Sequence, residues 1–527
     1  MKKLSLILAF VFGIGIMTFA QPSSSLLPNE VNAEDATITK MGHATMTIKI
    51  KIVTDSVTQR TDTIREMVEI EWNTPAGTAK QRNNERGGGT PHSTDFFNED
   101  NNSWLDIYWY DFVYPSISAT GEPISLSALA CMPDEDCDYI NNVIIGCHVT
   151  ITSNSQCPSR YSMEGSAKSD VSLLMNHAGS GLLFHSLQSD GAYYNLVILP
   201  DYEGYGITKD RAHPYLYQDI TARQVVDATR YGIALYKASN MISEIRHPFR
   251  KDWRSICVGY SQGGSVAMAT QRFIEQNDLS SELHLAGSVC GDGPYDPMAT
   301  LMYYMKQHED GHLLTMPVVL PLIMKGMCDY NPYMKNHQVT DFVSTNMLET
   351  GIIDWLTQKI MTTDDISAAW ENQNKHFGIS NSMTYTCFTY FQDLYNQYKN
   401  SYTSAAGIPL PPNRSLMEDL HLALACNNLT KGWAPQHALC LYHSHEDTVV
   451  PEVNRQSAWN SFGPWIIGLS AGAGTQYDHV TTGMQFFTGT AEFAAIRALS
   501  NAPLVQTPDI VRTIESQIGS SNVEYPE

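Results

Sequence analysis

Residues 257–264 have the sequence CVGYSQGG, which sets Ser261 in a G-x-S-x-G pattern between Gly259 and Gly263. An apolar, strand-like run precedes the pattern, and the small residues of a helix start follow it. A nucleophile elbow requires this order, because its serine lies on a strand-to-helix turn that leaves no room for side chains two positions away. A structural turn is the alternative interpretation. The strand and helix context favours an elbow in which Tyr260 precedes a nucleophilic Ser261.

The chain downstream of Ser261 offers an acid and a base. In parallel-sheet hydrolases these follow the serine in the order acid, then histidine. Residues 438–444 predict a strand, and Asp447 lies in the loop after it, where its neighbour Glu446 is the alternative acid. The base should lie in a later loop, and His479 is the one histidine after Asp447, so we expect it to be the base, with a surface loop histidine as the alternative. A metal pair at His443 and His445 lacks a third ligand.

An oxyanion hole needs two N–H donors beside the serine. The residue after the nucleophile supplies one of them, which here is Gln262. The second comes from the loop after the strand predicted from residue 143 onward, around Val149 and Thr150.

The arrangement of apolar runs predicts the fold class. From residue 142 short apolar strands alternate with helical segments such as residues 221–237, which is typical of an α/β protein with a mostly parallel sheet covered on both faces. This alternation stops between residues 295 and 432, a stretch that holds 10 of the 22 methionines. Methionine fits irregular apolar ligands, so this stretch either forms an ordinary helical core or shapes a binding site.

These patterns divide the chain into six parts. Residues 106–294 and 433–500 are expected to form the two parts of the α/β core, and residues 295–432 a helical cap inserted between them. Residues 21–105 are expected to be a partly β N-terminal extension, and residues 501–527 a C-terminal tail. Residues 1–20 resemble a signal peptide, with two lysines, an apolar run and a cleavage position near Ala20.

Composition restricts the classes of partner. The chain has 527 residues, 43% of them hydrophobic, and a formal charge of -22, so nucleic acid is excluded as an expected partner. Beyond the first 20 residues no run of 18 apolar residues predicts a membrane span. We expect a secreted or periplasmic protein, with an N-terminal membrane anchor as the alternative. Its ten cysteines permit disulfides, and Cys137 and Cys157 compete as partners of Cys131.

The chain resembles the secretory lipase-like group of esterases within the α/β-hydrolase superfamily. The resemblance covers roughly residues 106–500 and rests on four segments: 199–204 (LPDYEG), 259–264 (GYSQGG), 447–451 (DTVVP) and 478–479 (DH). The group commonly has His-Gly-Thr near the oxyanion loop and then Cys-Pro-Ser. This chain has His148-Val149-Thr150 and Cys157-Pro158-Ser159, so Val149 replaces the glycine. The resemblance implies an α/β-hydrolase fold with a large cap between two late strands.

These residues predict a serine hydrolase that cleaves carboxylic esters, an esterase or lipase acting on a small-molecule ester or lipid. Ser261 attacks the ester carbonyl, His479 transfers the proton, and Asp447 orients the imidazole. This chemistry requires neither a metal nor an organic cofactor. A serine exopeptidase or an acyltransferase could use the same triad, and a peptidase could grip an amino terminus with Asp201, Glu203, Asp292 and Asp296. A catalytically silent binding protein is the alternative from another class.

Overall fold

A computed structural model describes thirteen ranges of the chain: residues 27–28, 30–54, 61–76, 78, 81–82, 102–133, 139–161, 195–238, 247–400, 408–411, 415–470, 478–488 and 490–524. The proposed signal peptide therefore lies outside the described residues. Ten strands form one sheet: β1 Thr37–Thr54, β2 Thr61–Trp72, β3 Asn102–Ile117, β4 Pro123–Pro133, β5 Ile140–Cys147, β6 Asn195–Pro200, β7 Phe249–Tyr260, β8 Leu285–Gly291, β9 Ala438–His443 and β10 Ile466–Ser470.

One part of the sheet is parallel and the other is antiparallel. The strand order is β10-β9-β8-β7-β5-β6-β4-β3-β1-β2. The six strands from β10 to β6 are parallel, and the four from β4 to β2 are antiparallel. The prediction of a mostly parallel α/β sheet is therefore confirmed. Because parallel strands end at the same edge, the loops after β5, β7, β8 and β9 meet there.

The described residues contain fourteen α-helices: α1 Gln218–Ala238, α2 Gln262–Gln276, α3 Pro297–Glu309, α4 Val319–Tyr330, α5 Thr345–Leu348, α6 Ile352–Gln358, α7 Thr363–Asn372, α8 Ile379–Ser382, α9 Tyr385–Tyr398, α10 Leu416–Cys426, α11 Val453–Phe462, α12 His479–Thr488, α13 Thr490–Ser500 and α14 Pro508–Ile518. None of these helices is both long enough and apolar enough to cross a membrane.

Two apolar cores cover the two faces of the sheet. Neighbouring residues of a strand belong to different cores, as Ile144 and Ile145 of β5 do, because side chains alternate between the faces of a sheet. One core includes Val225 of α1 and Ile274 of α2, and the other includes Leu499 of α13. Burial on both faces explains why the parallel strands read as continuous apolar runs.

The segment between β8 and β9, which we call the helical insertion, contains eight α-helices in its described part, α3 to α10. It has its own apolar core, rich in buried methionines such as Met305, Met334 and Met347. The insertion connects the strand after the elbow to the strand before Asp447. Its ends therefore lie at the edge of the sheet where the predicted site residues lie.

The N-terminal extension contributes to the same sheet. Strand β1 lies between β2 and β3 and pairs with β3 from Thr37 to Lys49. Trp72 of β2 packs edge-to-face on Trp109 of β3, and β2 also contacts α12, the helix that begins at His479. The C-terminal residues after 500 contain α14, whose Val511 and Ile514 are buried.

The nine cysteines among the described residues are free thiols, including Cys131 and Cys157. A Cys131–Cys157 bridge is therefore absent from this part of the chain, and the bridge considered between Cys131 and Cys137 lies outside the described residues. Eight of the nine thiols are buried, and burial raises the pKa of those in β5, β7, β8 and β9. They behave as small apolar side chains rather than as reactive groups.

Candidate active site

Ser261 lies on a sharp turn between the last residue of β7 and the first residue of α2. Its backbone φ of 57° and ψ of -125° place a non-glycine residue in a strained region. A Cβ on Gly259 would lie 2.2 Å from the Gly263 carbonyl oxygen, and one on Gly263 would lie 2.1 Å from that of Cys147. Neither position has room for a side chain, which is the physical reason for the two glycines of the motif.

The structure brings Ser261, His479 and Asp447 into one hydrogen-bonded chain. The His479 Nε2 atom lies 2.8 Å from Ser261 Oγ, and its Nδ1 atom lies 2.5 Å from Asp447 Oδ2. The serine hydroxyl can therefore donate to Nε2, while Nδ1–H donates to the carboxylate. His479 is the first residue of α12, not a residue of a free loop as the sequence suggested. The chain links residues that are 218 and 32 positions apart.

The loop after β9 holds Asp447 in a fixed orientation. Its Oδ1 atom accepts hydrogen bonds from the backbone N–H groups of Val449 at 2.7 Å and Val450 at 2.9 Å. The other oxygen, Oδ2, is left for His479. Glu446, the alternative acid, is exposed, and its backbone N–H donates to Ser444 Oγ.

Electrostatics favour an ionised Asp447 and a basic His479. Burial alone raises the pKa of Asp447, but the charge and the hydrogen bond of His479 outweigh burial, so this pKa is lowered. Burial alone lowers the pKa of His479, but the charge and hydrogen bond of Asp447 outweigh it, and this pKa is raised above 6.5. Each group thus stabilises the charged form of the other, as an imidazole that receives a proton requires.

The expected oxyanion donors lie around the elbow. Neither Gln262 nor Thr150 donates its backbone N–H to another described residue, so both N–H groups are available to a ligand. Thr150 lines the same pocket as Ser261, whereas the Val149 side chain packs in the core. The Thr150 hydroxyl lies 2.6 Å from the Tyr215 hydroxyl. Thr150 therefore shares a pocket with the nucleophile, and the second oxyanion donor stays a prediction for the backbone N–H groups around Val149 and Thr150.

His213 supports the elbow in a way that the sequence did not reveal. Its Nε2 atom lies 2.6 Å from Nε2 of Gln262, and its Nδ1 atom lies 2.9 Å from the Glu203 carbonyl oxygen. Burial lowers the pKa of His213 to about 3, so the ring is neutral, donates through Nδ1 and accepts the Gln262 amide through Nε2. Only the fold brings residues 213 and 262 together, because no local motif connects them.

An apolar pocket opens onto Ser261. Its empty volume is about 920 Å³, including the part open to solvent, which is in the range of small-molecule sites. The helical insertion supplies most of the wall, for example Leu301, Leu320 and Met324, and the acid loop supplies Val449 and Val450. None of the described residues that line it carries a charge.

The four acids considered for a peptidase pocket do not line this pocket. Asp201 accepts from Ser127 and Ser159, and Glu203 pairs with Arg211. Asp296 caps α3 through the Ala299 N–H. These three acids thus have structural partners among the described residues, which offers no support for the alternative of an acidic grip on an amino terminus.

The fourth acid, Asp292, follows β8 and is fully buried close to His479. Its Oδ2 atom lies 2.7 Å from the Tyr260 hydroxyl, and its Oδ1 atom lies 2.5 Å from His443 Nδ1. Asp292, Asp447 and His479 present ligand atoms within 4.8 Å of one another. Asp447 is hydrogen-bonded to His479, and Asp292 to the Tyr260 hydroxyl and the Ser444 N–H, so hydrogen bonds account for the grouping without a cation.

Comparisons with known proteins support the fold. No family model matches the chain, and no curated protein matches it either. Among solved structures, the rice cell wall degrading esterase LipA from Xanthomonas oryzae superposes with a TM-score of 0.53 at 21% identity, covering 75% of this chain and 90% of LipA.

Two further structures superpose over similar lengths. A putative hydrolase from Legionella pneumophila has a TM-score of 0.52 at 16% identity, covering 80% of this chain and 91% of its own. Candida antarctica lipase A in its closed state has a TM-score of 0.50 at 11% identity, covering 79% and 86%. Their shared architecture, together with the six-stranded parallel half-sheet and the elbow after β7, shows that this chain has the α/β-hydrolase fold.

Proposed function

We propose that the protein is an exported serine hydrolase that cleaves carboxylic esters with an apolar acyl chain. The observation that carries the proposal is the continuous hydrogen-bonded chain Ser261–His479–Asp447, whose serine opens onto an uncharged, apolar pocket. The esterase and lipase named among the structural neighbours agree with this reaction type. The signal-like residues 1–20 support export.

The proposed reaction proceeds through an acyl-enzyme. Ser261 Oγ attacks the ester carbonyl while His479 Nε2 takes the hydroxyl proton, and Asp447 stabilises the imidazolium that forms. The tetrahedral oxyanion is held by the backbone N–H groups of Gln262 and Thr150, at the positively polarised N-terminus of α2. His479 then gives its proton to the leaving alcohol, and a water molecule, activated by the same histidine, releases the acid.

The pocket lining supports an apolar acyl group. Leucine, isoleucine, valine and methionine side chains dominate its wall, and its polar members are hydroxyl groups. Burial of an alkyl chain against this wall is favourable by about 0.8 kcal/mol for each methylene. A charged peptide terminus would find no ion-pair partner among the lining residues. No observation favours the exopeptidase, acyltransferase or silent binding alternatives over ester hydrolysis.

The decisive experiment compares Ser261→Ala with the control Ser281→Ala, which changes an exposed serine. The substrates are p-nitrophenyl esters of rising chain length and aminoacyl-nitroanilides. We expect Ser261→Ala to lose turnover by about a million-fold and to lose labelling by a fluorophosphonate, while Ser281→Ala keeps both. One tenth of the activity remaining in Ser261→Ala would overturn the assignment. Cleavage of nitroanilides but not of esters would identify a peptidase.

A second pair of variants tests the acid. We expect Asp447→Asn to lower turnover by about ten-thousand-fold, because the amide favours the wrong histidine tautomer. Glu446→Gln should cost little, since Glu446 is exposed and His479 Nδ1 is already paired with Asp447 Oδ2. The reverse ranking would place the acid at Glu446.

A further inference from the structure

Asp292 has no role in the proposed reaction, although it lies beside the residues that perform it. It is fully buried and has a backbone φ of 35°, which non-glycine residues rarely adopt. A buried carboxyl group close to Asp447 is costly if both groups are ionised, because two like charges repel strongly in a site without water. The charge of the site therefore depends on whether the Asp292 carboxyl group carries a proton.

The contacts of Tyr260 allow the protons to be counted. The Tyr260 hydroxyl oxygen lies 2.7 Å from Asp292 Oδ2 and 2.7 Å from the His479 carbonyl oxygen. A phenol carries one proton, and a carbonyl oxygen carries none. If Asp292 were ionised, one of these two short contacts would bring lone pairs together with no proton between them.

A protonated Asp292 satisfies both contacts. Its O–H group donates to Tyr260, and the Tyr260 O–H group donates to the His479 carbonyl oxygen. The other oxygen, Oδ1, accepts the Ser444 N–H at 3.2 Å and lies 2.5 Å from His443 Nδ1. Every polar atom of the carboxyl group then has a partner of the correct kind.

The surroundings of Asp292 favour the protonated form. Burial raises the pKa of Asp292, the charge of His443 opposes this, and the negative charge of Asp447 raises the pKa further. The titratable groups that face Asp292 come from several elements: Tyr260 of β7, His443 of β9, Asp447 of the acid loop, His479 of α12 and Tyr295 of the insertion.

We propose that Asp292 is a neutral carboxylic acid at neutral pH and a positioning residue for His479, which it holds through the Tyr260 hydroxyl. The role rests on the proposed function, in which His479 is the base. Asp292 and Tyr260 fix the main chain of the histidine, and Asp447 orients its ring. Because Asp292 is uncharged, the basicity of the imidazole is set by Asp447.

The test is Asp292→Asn beside Asp292→Leu. The asparagine Nδ2–H can replace the acid O–H as donor to Tyr260 without changing the charge, whereas leucine cannot. We expect Asp292→Leu to lower kcat by about a hundredfold with little change in KM, and Asp292→Asn to restore most of that loss. Tyr260→Phe should give a similar loss of kcat, and the double variant Asp292→Leu/Tyr260→Phe should lose no more than either single variant. If the losses of kcat in the two single variants add up in the double variant, Asp292 and Tyr260 act independently, and the proposal is refuted.

The pH dependence separates the two protonation states. With a neutral Asp292, the acid limb of the kcat/KM profile keeps its position in Asp292→Asn. With an ionised Asp292, the same variant removes a negative charge beside His479, and the limb moves to lower pH by about one unit. That movement would overturn the proposal. Asp296→Asn is the matched control, because it changes a buried carboxyl group that caps α3 instead of contacting Tyr260.

Infrared difference spectra give a measurement that needs no turnover. The wild-type minus Asp292→Asn spectrum at neutral pH should contain the C=O band of a protonated carboxyl group, and only carboxylate bands would contradict the proposal. The same spectra recorded in Ser261→Ala protein keep this result independent of ester hydrolysis. A failure of the nucleophile assignment is thereby distinguishable from a failure of the Asp292 assignment.

Discussion

Gly263→Ala is the most informative single change in the elbow, because the structure predicts the size of the disturbance. A Cβ on Gly263 would lie 2.1 Å from the carbonyl oxygen of Cys147 and 2.8 Å from that of His148. An ordinary contact starts at 3.4 Å, so the N-terminus of α2 and the end of β5 must separate by about 1.3 Å. Both neighbours are main-chain atoms, which cannot rotate away as a side chain could.

This separation would act on both proposed oxyanion donors. Gln262 precedes Gly263 in α2, and Thr150 follows His148 in the loop after β5. A misplacement of about 1 Å can cost a hundredfold in rate, and an overpacked core typically costs 1–3 kcal/mol in stability. We expect kcat/KM for a p-nitrophenyl ester to fall at least about a hundredfold and the thermal midpoint to fall by a few degrees.

The control is Gly378→Ala, in the helical insertion. A Cβ there would meet its nearest neighbour at 3.5 Å, an ordinary contact, and the backbone φ of -96° suits any residue. We expect this variant to keep both the activity and the thermal midpoint of the wild type. Wild-type kcat/KM in Gly263→Ala would refute the reasoning, and so would an equal loss in both variants.

Three further predictions concern the pocket, the base and the insertion. Leu320→Trp adds bulk to a partly buried pocket wall, so it should lower kcat/KM for long-chain esters about tenfold or more while sparing acetate, whereas Leu348→Trp, away from the pocket, should leave the chain-length profile unchanged. Because the pKa of His479 is raised above 6.5, the acid limb of kcat/KM should lie above pH 6.5, and a limb below that value would contradict the assignment of the base. Burial lowers the pKa of Lys359 from 10.5 to about 8 in the folded protein. Between these two pH values the unfolded chain binds more protons than the folded chain does. The contribution of Lys359 to the free energy of unfolding therefore rises with pH in this range. Lys359→Met should remove that rise from the free energy of denaturant unfolding measured from pH 8 to 10.5, and an unchanged slope would show that Lys359 does not titrate there.

Short-range patterns in the sequence predicted the local parts of the site. The glycines of the elbow and the turn that holds Asp447 are set by neighbours only a few residues away, so their geometry is encoded locally. The base could be identified as His479 by elimination, since this is the one histidine after the acid loop. Its position at the start of a helix was missed, although Asp478 directly before it favours an N-cap and its Oδ1 atom accepts the Thr481 N–H at 2.8 Å.

The long-range contacts could not be predicted in the same way. His213 reaches Gln262 across 49 positions, and Asp292 reaches Tyr260 across 32. The sequence suggested Asp292 as a candidate for binding a peptide terminus, whereas the structure places it against a tyrosine. Strand β10, five residues long, was missed because so short a run is indistinguishable from loop, and the position of β1 between β2 and β3 depends on pairing across some 60 residues.

The structure separates the parts that fix the chemistry from the parts that choose the substrate. Around the N-terminus of α2, main-chain atoms approach one another through glycines, and a Cβ on Gly264 would lie 2.3 Å from the Gly291 carbonyl oxygen. The loops after β5, β7 and β8 are therefore locked together by backbone contacts, which no side-chain change in the insertion alters directly. The pocket wall consists instead mostly of apolar side chains of the helical insertion, such as Leu301 on α3 and Leu320 and Met324 on α4, which tolerate exchange. In the proposed esterase, acyl specificity can thus vary through the helical insertion while the serine, the histidine and the proposed oxyanion donors keep their geometry.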